Sequence, residues 1–455
     1  MRTSEPTFRF VDLFAGIGGF HAALSALGGE CVYASEIDRY AAKVYERNWG
    51  IDPLGDIVEA TETTVQVPDH DVLAAGFPCQ PFSKSGFQRG MDEARGTLFW
   101  NICRILEERR PKLVLLENVR NLAGPRHKHE WEVIVRSLRE FGYRVSSRPT
   151  IFSPHLLPPQ FGGRPQIRER VFVVATYVGG PDDVDVEPVV ANKPVGGWDP
   201  HSWDLKKHLP LDRRLRGVTA ASVELSEDEV RWIDAWNDFC ARLRSDGAHK
   251  LPGFPIWADH FVHSDDLSID DETPGWKQDF LRKNSDLYTR HQATIDEWLD
   301  EFDYLRNFPP SRRKLEWQAQ DTESLWDTLM HLRPSGIRAK KPSYVPALVA
   351  ITQTSIHGPS RRRLTPREAA RLQGLPDWFD FGDQRDALTY KQMGNGVNVG
   401  VAYYVLRKHV LDNHDLFSDT PGLLRGLRAT PLAPAIPRHE KPGGTCAAGQ
   451  RARAS

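Results

Sequence analysis

Five apolar runs of strand length, Phe8–Phe14, Glu30–Ala34, Asp71–Ala75, Lys112–Leu116 and Arg170–Ala175, punctuate the N-terminal part of this chain. Segments with helical patterning fall between them, at Phe20–Leu27, Asp38–Trp49, Thr97–Glu108 and Glu130–Phe141. Runs this apolar suit strands buried on both faces, the situation in parallel sheets covered by crossover helices. Repeated strand–helix units therefore predict an α/β fold with a doubly wound, mostly parallel sheet. In an open sheet of this kind, ligands bind in the crevice outside the carboxyl ends of the strands. The residues just after each run are thus where chemistry is to be sought.

Those residues are unusual. The first run passes into Asp12-Leu13-Phe14-Ala15-Gly16-Ile17-Gly18-Gly19, where the glycines allow close backbone approach to a ligand. A dinucleotide fingerprint needs a third glycine at position 21, and His21 stands there instead, which leaves room for a cofactor without a pyrophosphate. Glu36 follows the second run, where an acid typically accepts ribose hydroxyls, and Asp56 in Gly55-Asp56-Ile57 sits at the next such loop. Both acids equally suit helix starts, which favour negative charge. Phe14 and Ile37 could wall a base. The third run opens into Gly76-Phe77-Pro78-Cys79-Gln80-Pro81-Phe82-Ser83 and the fourth into Glu117-Asn118-Val119. A thiol and a carboxylate delivered to one sheet edge suggest a nucleophile with an acid partner.

Beyond Tyr177 the texture changes. Residues 179–345 are rich in Trp, Pro and Asp and lack the strand–helix rhythm, as expected of an inserted domain. A helix start returns at Thr365-Pro366-Arg367-Glu368, with Thr365 as N-cap, Pro366 first in the helix and Glu368 closing a capping box. Gly394–Val405 reads as a turn and an apolar helix. From about Asp415 Pro, Gly and Arg dominate, and residues 413–455 are expected to be a disordered tail.

Composition excludes several classes. With 455 residues, 40% hydrophobic and 26% charged, the chain suits a globular protein of two domains. It has no apolar run of about 18 residues and no signal-peptide pattern, so no membrane association is expected. The five cysteines are scattered and form no C-x-x-C pair, which argues against a disulfide framework and against a bound metal, and for a cytoplasmic location. A net charge of −2 does not advertise a nucleic-acid partner, although Arg333, Arg338, Lys340 and Lys341 cluster, as do Arg361, Arg362 and Arg363.

The motifs together resemble those of the DNA (cytosine-5)-methyltransferases. Residues 12–19 look like that family's first motif, residues 76–83 like its cysteine loop and Glu117-Asn118-Val119 like its acidic motif. Gln166-Ile167-Arg168-Glu169-Arg170 resembles its paired-arginine motif. The run Arg363 to Gly374 and the run Gln392-Met393-Gly394-Asn395-Gly396-Val397 resemble its last two. The one departure is Leu157–Arg164, which looks like a short insertion. The resemblance implies a Rossmann-like domain over 1–178, a target-recognition domain over 179–388, a helix over 389–412 returning to the first domain, and a monomer. It also implies S-adenosylmethionine as methyl donor, cytosine in double-stranded DNA as substrate, and a restriction–modification setting with a cognate endonuclease.

The chemistry explains the residue types. Cytosine C5 is a poor nucleophile until a thiolate adds at C6, and Cys79 is the expected thiolate. Glu117 would protonate the N3 edge, a task that needs a raised pKa. Arg168 and Arg170 could hold O2, with Arg170 bracing Glu117. The donor is expected among Phe14, Gly16, Gly18, Gly19, Glu36, Ile37, Asp56, Ile57, Pro78, Leu98, Asn395 and Val397. A stacked base must be flipped out to react. Residues 81–98, with Gly86, Gly90 and Gly96 as hinge points, suit a lid, and Gln80, Ser83 and Ser85 suit contacts to the vacated duplex. In the inserted domain Arg333, Ser335 and Arg338 have the chemistry to read base edges, as well as to touch only phosphates. A tRNA cytosine-5 methyltransferase with the same core is the alternative, and the long 179–345 segment speaks against it. A nucleic-acid-binding protein with a decayed core is opposed by intact Cys79, Glu117, Arg168 and Arg170.

Overall fold

The computed structural model describes residues 7–78, 97–212, 218–248, 250–348 and 354–439. Strand β1 (Phe8–Leu13) lies between β2 (Gly29–Ser35) and β3 (Val72–Ala75), with β4 (Leu113–Val119) beyond β3, all parallel. The order changes direction at β1, which creates a crevice at the carboxyl ends of these strands. Strands β5 (Tyr143–Val145) and β6 (Thr150–Phe152), followed by the two-residue β7 (Gln166–Ile167), lead to β8 (Arg170–Tyr177). β8 runs antiparallel to β4, and β5 and β6 share its outer edge. The sheet is therefore mostly parallel, with β8 as the reversed strand.

Alternation along the strands feeds two layers. Phe8 and Phe10 point into a core with helix α1 (Gly19–Ala26) and the helix Val399–Asp412. Val11 and Leu13 point into another, with the helices Leu98–Arg109 and Lys128–Glu140. Helix α2 (Arg39–Trp49) begins where Asp38 Oδ1 accepts from the amides of Tyr40 and Ala41, and ends at Gly50 in the left-handed region. This is the doubly wound arrangement expected from the apolar runs.

Two expectations shift, and two strands that the sequence reading did not include are added. β4 runs on through Val119, so Glu117 and Asn118 belong to the strand rather than to a loop after it. The strands β5 and β6 are only three residues each, too short for a periodicity to register. The 413–455 tail is ordered over its described part, with a helix at Pro421–Ala429. Phe417, Leu423 and Leu427 are buried there. Leu423 and Leu427 lie one turn apart on one face, while Gly422 and Gly426 let that helix sit against Thr7. Counts of Pro, Gly and Arg hid this apolar pair.

A second, six-stranded sheet forms in the inserted region. Its strands are β9 (Ile256–Trp257), β10 (Lys314–Gln318), β11 (Leu329–Arg333), β12 (Gly336–Lys340), β14 (Ile356–His357) and β15 (Arg362–Arg363). Its core includes Trp236, Phe239 and Trp298 from the helices Glu227–Ser245 and Gln292–Glu301. The intervening β13 (Val345–Pro346) pairs in parallel with β7 of the first region. The capping box at Thr365 and Glu368 is present. The helix it opens, Pro366–Gln373, contributes Ala369 and Ala370 to the first sheet's core, as do Leu375 and Phe379. The change of core thus comes before residue 388, the boundary expected from sequence. Val189, Val190 and Val195 likewise join the first core, beyond residue 178. Among the described residues no helix is long and apolar enough to cross a membrane.

Candidate active site

A cavity of about 610 Å³ opens at the carboxyl ends of β1 to β4. Its walls come from the turn after β1, the segment after β2, the segment 55–58 and Gly76–Pro78 after β3, with the end of β4 and the 391–396 segment closing it. These six stretches, far apart in sequence, meet at one edge of the sheet.

One end of the cavity carries Glu36. Its Oε2 accepts the Gly16 amide at 2.7 Å and its Oε1 accepts the Asp38 amide at 2.7 Å. The carboxylate thereby ties the turn after β1 to the start of α2. Burial pushes its pKa up, against the two amides that favour the charged form. Gly16 has φ of 56° and open space where a Cβ would stand, and Gly55 is equally open, so the backbone is accessible at both points. Ile37 is 73% exposed, an apolar side chain left uncovered on the cavity wall. Asp56 caps the helix Ile57–Thr61 through the Val58 amide at 2.9 Å, so the helix-start reading holds for it whatever else it does.

Phe14, Gly16, Glu36, Ile37, Asp56, Ile57, Pro78, Leu98 and Asn395 all line the cavity. Gly18, Gly19 and Val397 do not. A Cβ on Gly18 would fall 2.1 Å from Trp49 Nε1, and one on Gly19 would fall 2.7 Å from the Val397 carbonyl. These glycines permit helix packing behind the turn rather than access to a ligand. Sequence reading missed Asp38 and Lys391, which line the cavity and form an ion pair at 3.3 Å. Lys391 directly precedes the Gln392–Val397 motif, and that adjacency was the available signal.

Glu117 stands at the other end, 7% exposed. Burial raises its pKa, against the opposing pull of Arg170 and Arg168. Arg170 Nε lies 3.0 Å from Glu117 Oε1, while Oε1 accepts no well-aligned hydrogen bond among the described residues. Asn118 Nδ2 donates to the Phe77 carbonyl at 2.8 Å, which ties β4 to the segment that leads into Pro78. Cys79, Gln80, Ser83 and Ser85, with the rest of 79–96, lie outside the described residues.

Arg168 is placed differently from the expectation. It is 2% exposed, and its guanidinium donates to the carbonyls of Leu348 at 3.2 Å, Gly394 at 2.8 Å and Gly396 at 2.8 Å. Burial lowers its pKa to about 9. With both terminal nitrogens engaged by backbone it shapes the cavity wall, while its buried Nε has no hydrogen-bond partner among the described residues. Arg333, Ser335 and Arg338 lie on the β11–β12 hairpin, away from the cavity lining. Ser335 Oγ donates to Glu316 Oε1 at 3.0 Å and Arg338 Nε to Glu316 Oε2 at 2.5 Å. Glu316 on β10, far away in sequence, was not anticipated. The second basic cluster also divides: Arg362 is bidentate to Glu368 at 2.7 and 2.9 Å, Arg363 pairs with Glu229, and Arg361 stacks on Trp326.

A parallel-sheet crevice with a half-buried acid at one end and a buried acid at the other suits a site for two ligands. Residues 8–410 match the family model described as C-5 cytosine-specific DNA methylase, and the chain belongs to that family. It is 48% identical to the type II methyltransferase M.AluI of Cellulosimicrobium cellulans, over 94% of this chain and 97% of that protein. It is 47% identical to M.HhaI of Haemophilus parahaemolyticus, over 87% and 92%, and 30% identical to M.BanI of Aneurinibacillus aneurinilyticus, over 90% and 97%. The family's methyl donor is S-adenosylmethionine. The cavity fits it: an acid beside an open glycine turn suits a ribose, the uncovered Ile37 suits a base, and no phosphate cradle is required.

Proposed function

We propose that this enzyme is the modification component of a type II restriction–modification system, methylating C5 of one cytosine within a specific duplex sequence. The observation that carries the reading is the single cavity bearing Glu36 at one end and the buried, Arg170-paired Glu117 at the other. The match to type II methyltransferases over nearly their full length supports the setting. A cognate endonuclease and a monomeric state belong to the same proposal.

Bound S-adenosylmethionine supplies an electrophilic methyl group. Glu36 takes the ribose hydroxyls, Asp56 the adenine amino group, and Phe14, Ile37 and Ile57 the faces of the base. The Cys79 thiolate adds to C6 of the flipped cytosine, and Glu117 gives a proton to N3 as electron density moves to C5. C5 then forms its bond to the methyl carbon as the methyl–sulfur bond breaks, and S-adenosylhomocysteine leaves. Water takes the C5 proton, the Cys79 thiolate leaves C6, and N3 returns its proton to Glu117, which restores the ring. Arg170 holds Glu117 in place and reaches O2. Arg168 keeps the 394–396 wall in position. Gln80, Ser83 and Ser85 contact the opened duplex, and Arg333, Ser335 and Arg338 supply sequence reading.

The test is covalent trapping. Duplex DNA carrying 5-fluorocytosine at the target, with the methyl donor, should become joined to the wild-type chain and not to Cys79→Ser, because fluorine cannot leave as a proton does. Bisulfite sequencing of DNA from cells expressing the chain should show one methylated motif. Unmethylated DNA with no trapped complex would refute the reading.

A further inference from the structure

His21 breaks the dinucleotide fingerprint, and the site described above does not use it. It lies on α1, 7% exposed, behind the turn that carries Gly16. Its ring stacks on Trp49 with centroids 4.3 Å apart and planes inclined by 19°. Its Nδ1 is 2.7 Å from the Tyr45 hydroxyl. Tyr45 and Trp49 are one helical turn apart on α2, so a single helix face receives both sides of the imidazole. Burial lowers the pKa of His21 to about 3, so the ring is neutral and stacks without a charge to solvate.

The stack reaches the turn itself. Trp49 Nε1 donates to the Ile17 carbonyl at 3.0 Å, and the same indole lies where a Cβ on Gly18 would be. From the cavity side, Glu36 holds the Gly16 amide. The turn is thus gripped from both sides, by Glu36 in front and by Trp49 behind. Neither grip was read from the sequence, which offered Glu36 only as a ribose acceptor or a helix-start acid.

We propose that His21 is a positioning residue for the methyl donor: held by Tyr45 and stacked on Trp49, it fixes the Ile17–Gly18 backbone and so sets donor affinity. This rests on the assignment of the cavity to S-adenosylmethionine. The role needs a side chain that is flat, neutral and polar at one edge, which glycine at this position cannot supply.

The experiment is titration calorimetry of S-adenosylhomocysteine into the apo protein, for wild type, His21→Phe, Tyr45→Phe and the double variant. Each single variant keeps a ring in place and removes the His21–Tyr45 hydrogen bond. Each should raise Kd about tenfold, the scale of one buried hydrogen bond. The double variant should be no worse than Tyr45→Phe, which removes the shared interaction together with the hydroxyl's contacts to Asp12 and Cys31. KM for the donor should rise while kcat at saturating donor stays within about twofold. Unchanged Kd in folded Tyr45→Phe, or lost kcat with KM intact, would overturn the role. Should His21→Phe not fold, Tyr45→Phe decides against Asp12→Asn and Cys31→Ala as controls for the hydroxyl's other contacts: a Kd raised equally in those controls would overturn the role. A wild-type chain that binds no S-adenosylhomocysteine would instead sink the donor assignment beneath it.

Discussion

Glu117 and Arg170 are diagonal neighbours on one face of the antiparallel β4–β8 ladder, and Arg170 Nε stands 3.0 Å from Glu117 Oε1. The pair separates two requirements. Burial keeps the carboxyl protonatable, while the guanidinium fixes where it points.

Replacing Glu117 with Gln should therefore lower kcat by about 10²–10⁴, the usual share of a general acid. Arg170→Lys keeps the charge but loses the planar fork, and should reduce kcat by less. Neither should change S-adenosylhomocysteine affinity more than a few-fold. Calorimetry and single-turnover methylation check both, and a large affinity loss in Glu117→Gln would contradict the division of the cavity.

Arg168 should behave as a structural clasp. Arg168→Ala abandons three carbonyls, two of them buried, and at about 1–3 kcal/mol for each unsatisfied buried group the loss should be several kcal/mol in urea unfolding. Lysine cannot span three acceptors and should rescue only part. A variant with wild-type stability and lost kcat would return Arg168 to direct chemistry.

Glu36 accepts two amides that lie at different strand ends. Glu36→Gln offers one acceptor oxygen in place of two and should raise the Kd for S-adenosylhomocysteine about tenfold or more. Reactivity of Cys79 toward an alkylating reagent should not change. An unaltered Kd would remove Glu36 from the donor site.

Asp12 gives a pH dependence. Its carboxyl is fully buried, and that burial pushes its pKa well above the ordinary value although the His21 amide donates to it. A raised folded pKa favours the protonated form, so this contribution to stability is complete below the unfolded value near ~3.9 and declines as pH rises through the folded value. Asp12→Asn has no such decline. Its Tm should match wild type near pH 4 and exceed it increasingly toward pH 8. A constant Tm difference across that range would contradict the charge argument.

The C-terminal helix should matter for stability. Leu427 is fully buried, so Leu427→Ala should cost about 2–5 kcal/mol in denaturant unfolding. A cost below about 0.5 kcal/mol, typical of surface sites, would show that the helix does not pack as described.

Much of the site was legible because a parallel sheet collects its loops at one edge. Phe14, Glu36, Pro78 and Glu117 are far apart in sequence, yet strand order alone brings them to one cavity. What escaped was set by tertiary pairing. Glu316 meets Arg338 across a parallel β10–β12 ladder that no local pattern announces. Arg168 looked like a substrate contact because its partners are backbone carbonyls, which carry no residue-type signature. The second sheet escaped for a related reason, since its strands are two to five residues long and its core is drawn largely from helices.

The short β7–β13 ladder has a practical bearing on protein engineering. Val345 and Pro346 run alongside Gln166 and Ile167, so the chain that leaves the first sheet at the end of β8 comes back beside β7, ahead of the start of β8. Adjacent strands lie ~4.8 Å apart. The returning end of the inserted stretch is thus stitched to the first region, and that seam marks the downstream junction for a recognition module grafted from a relative.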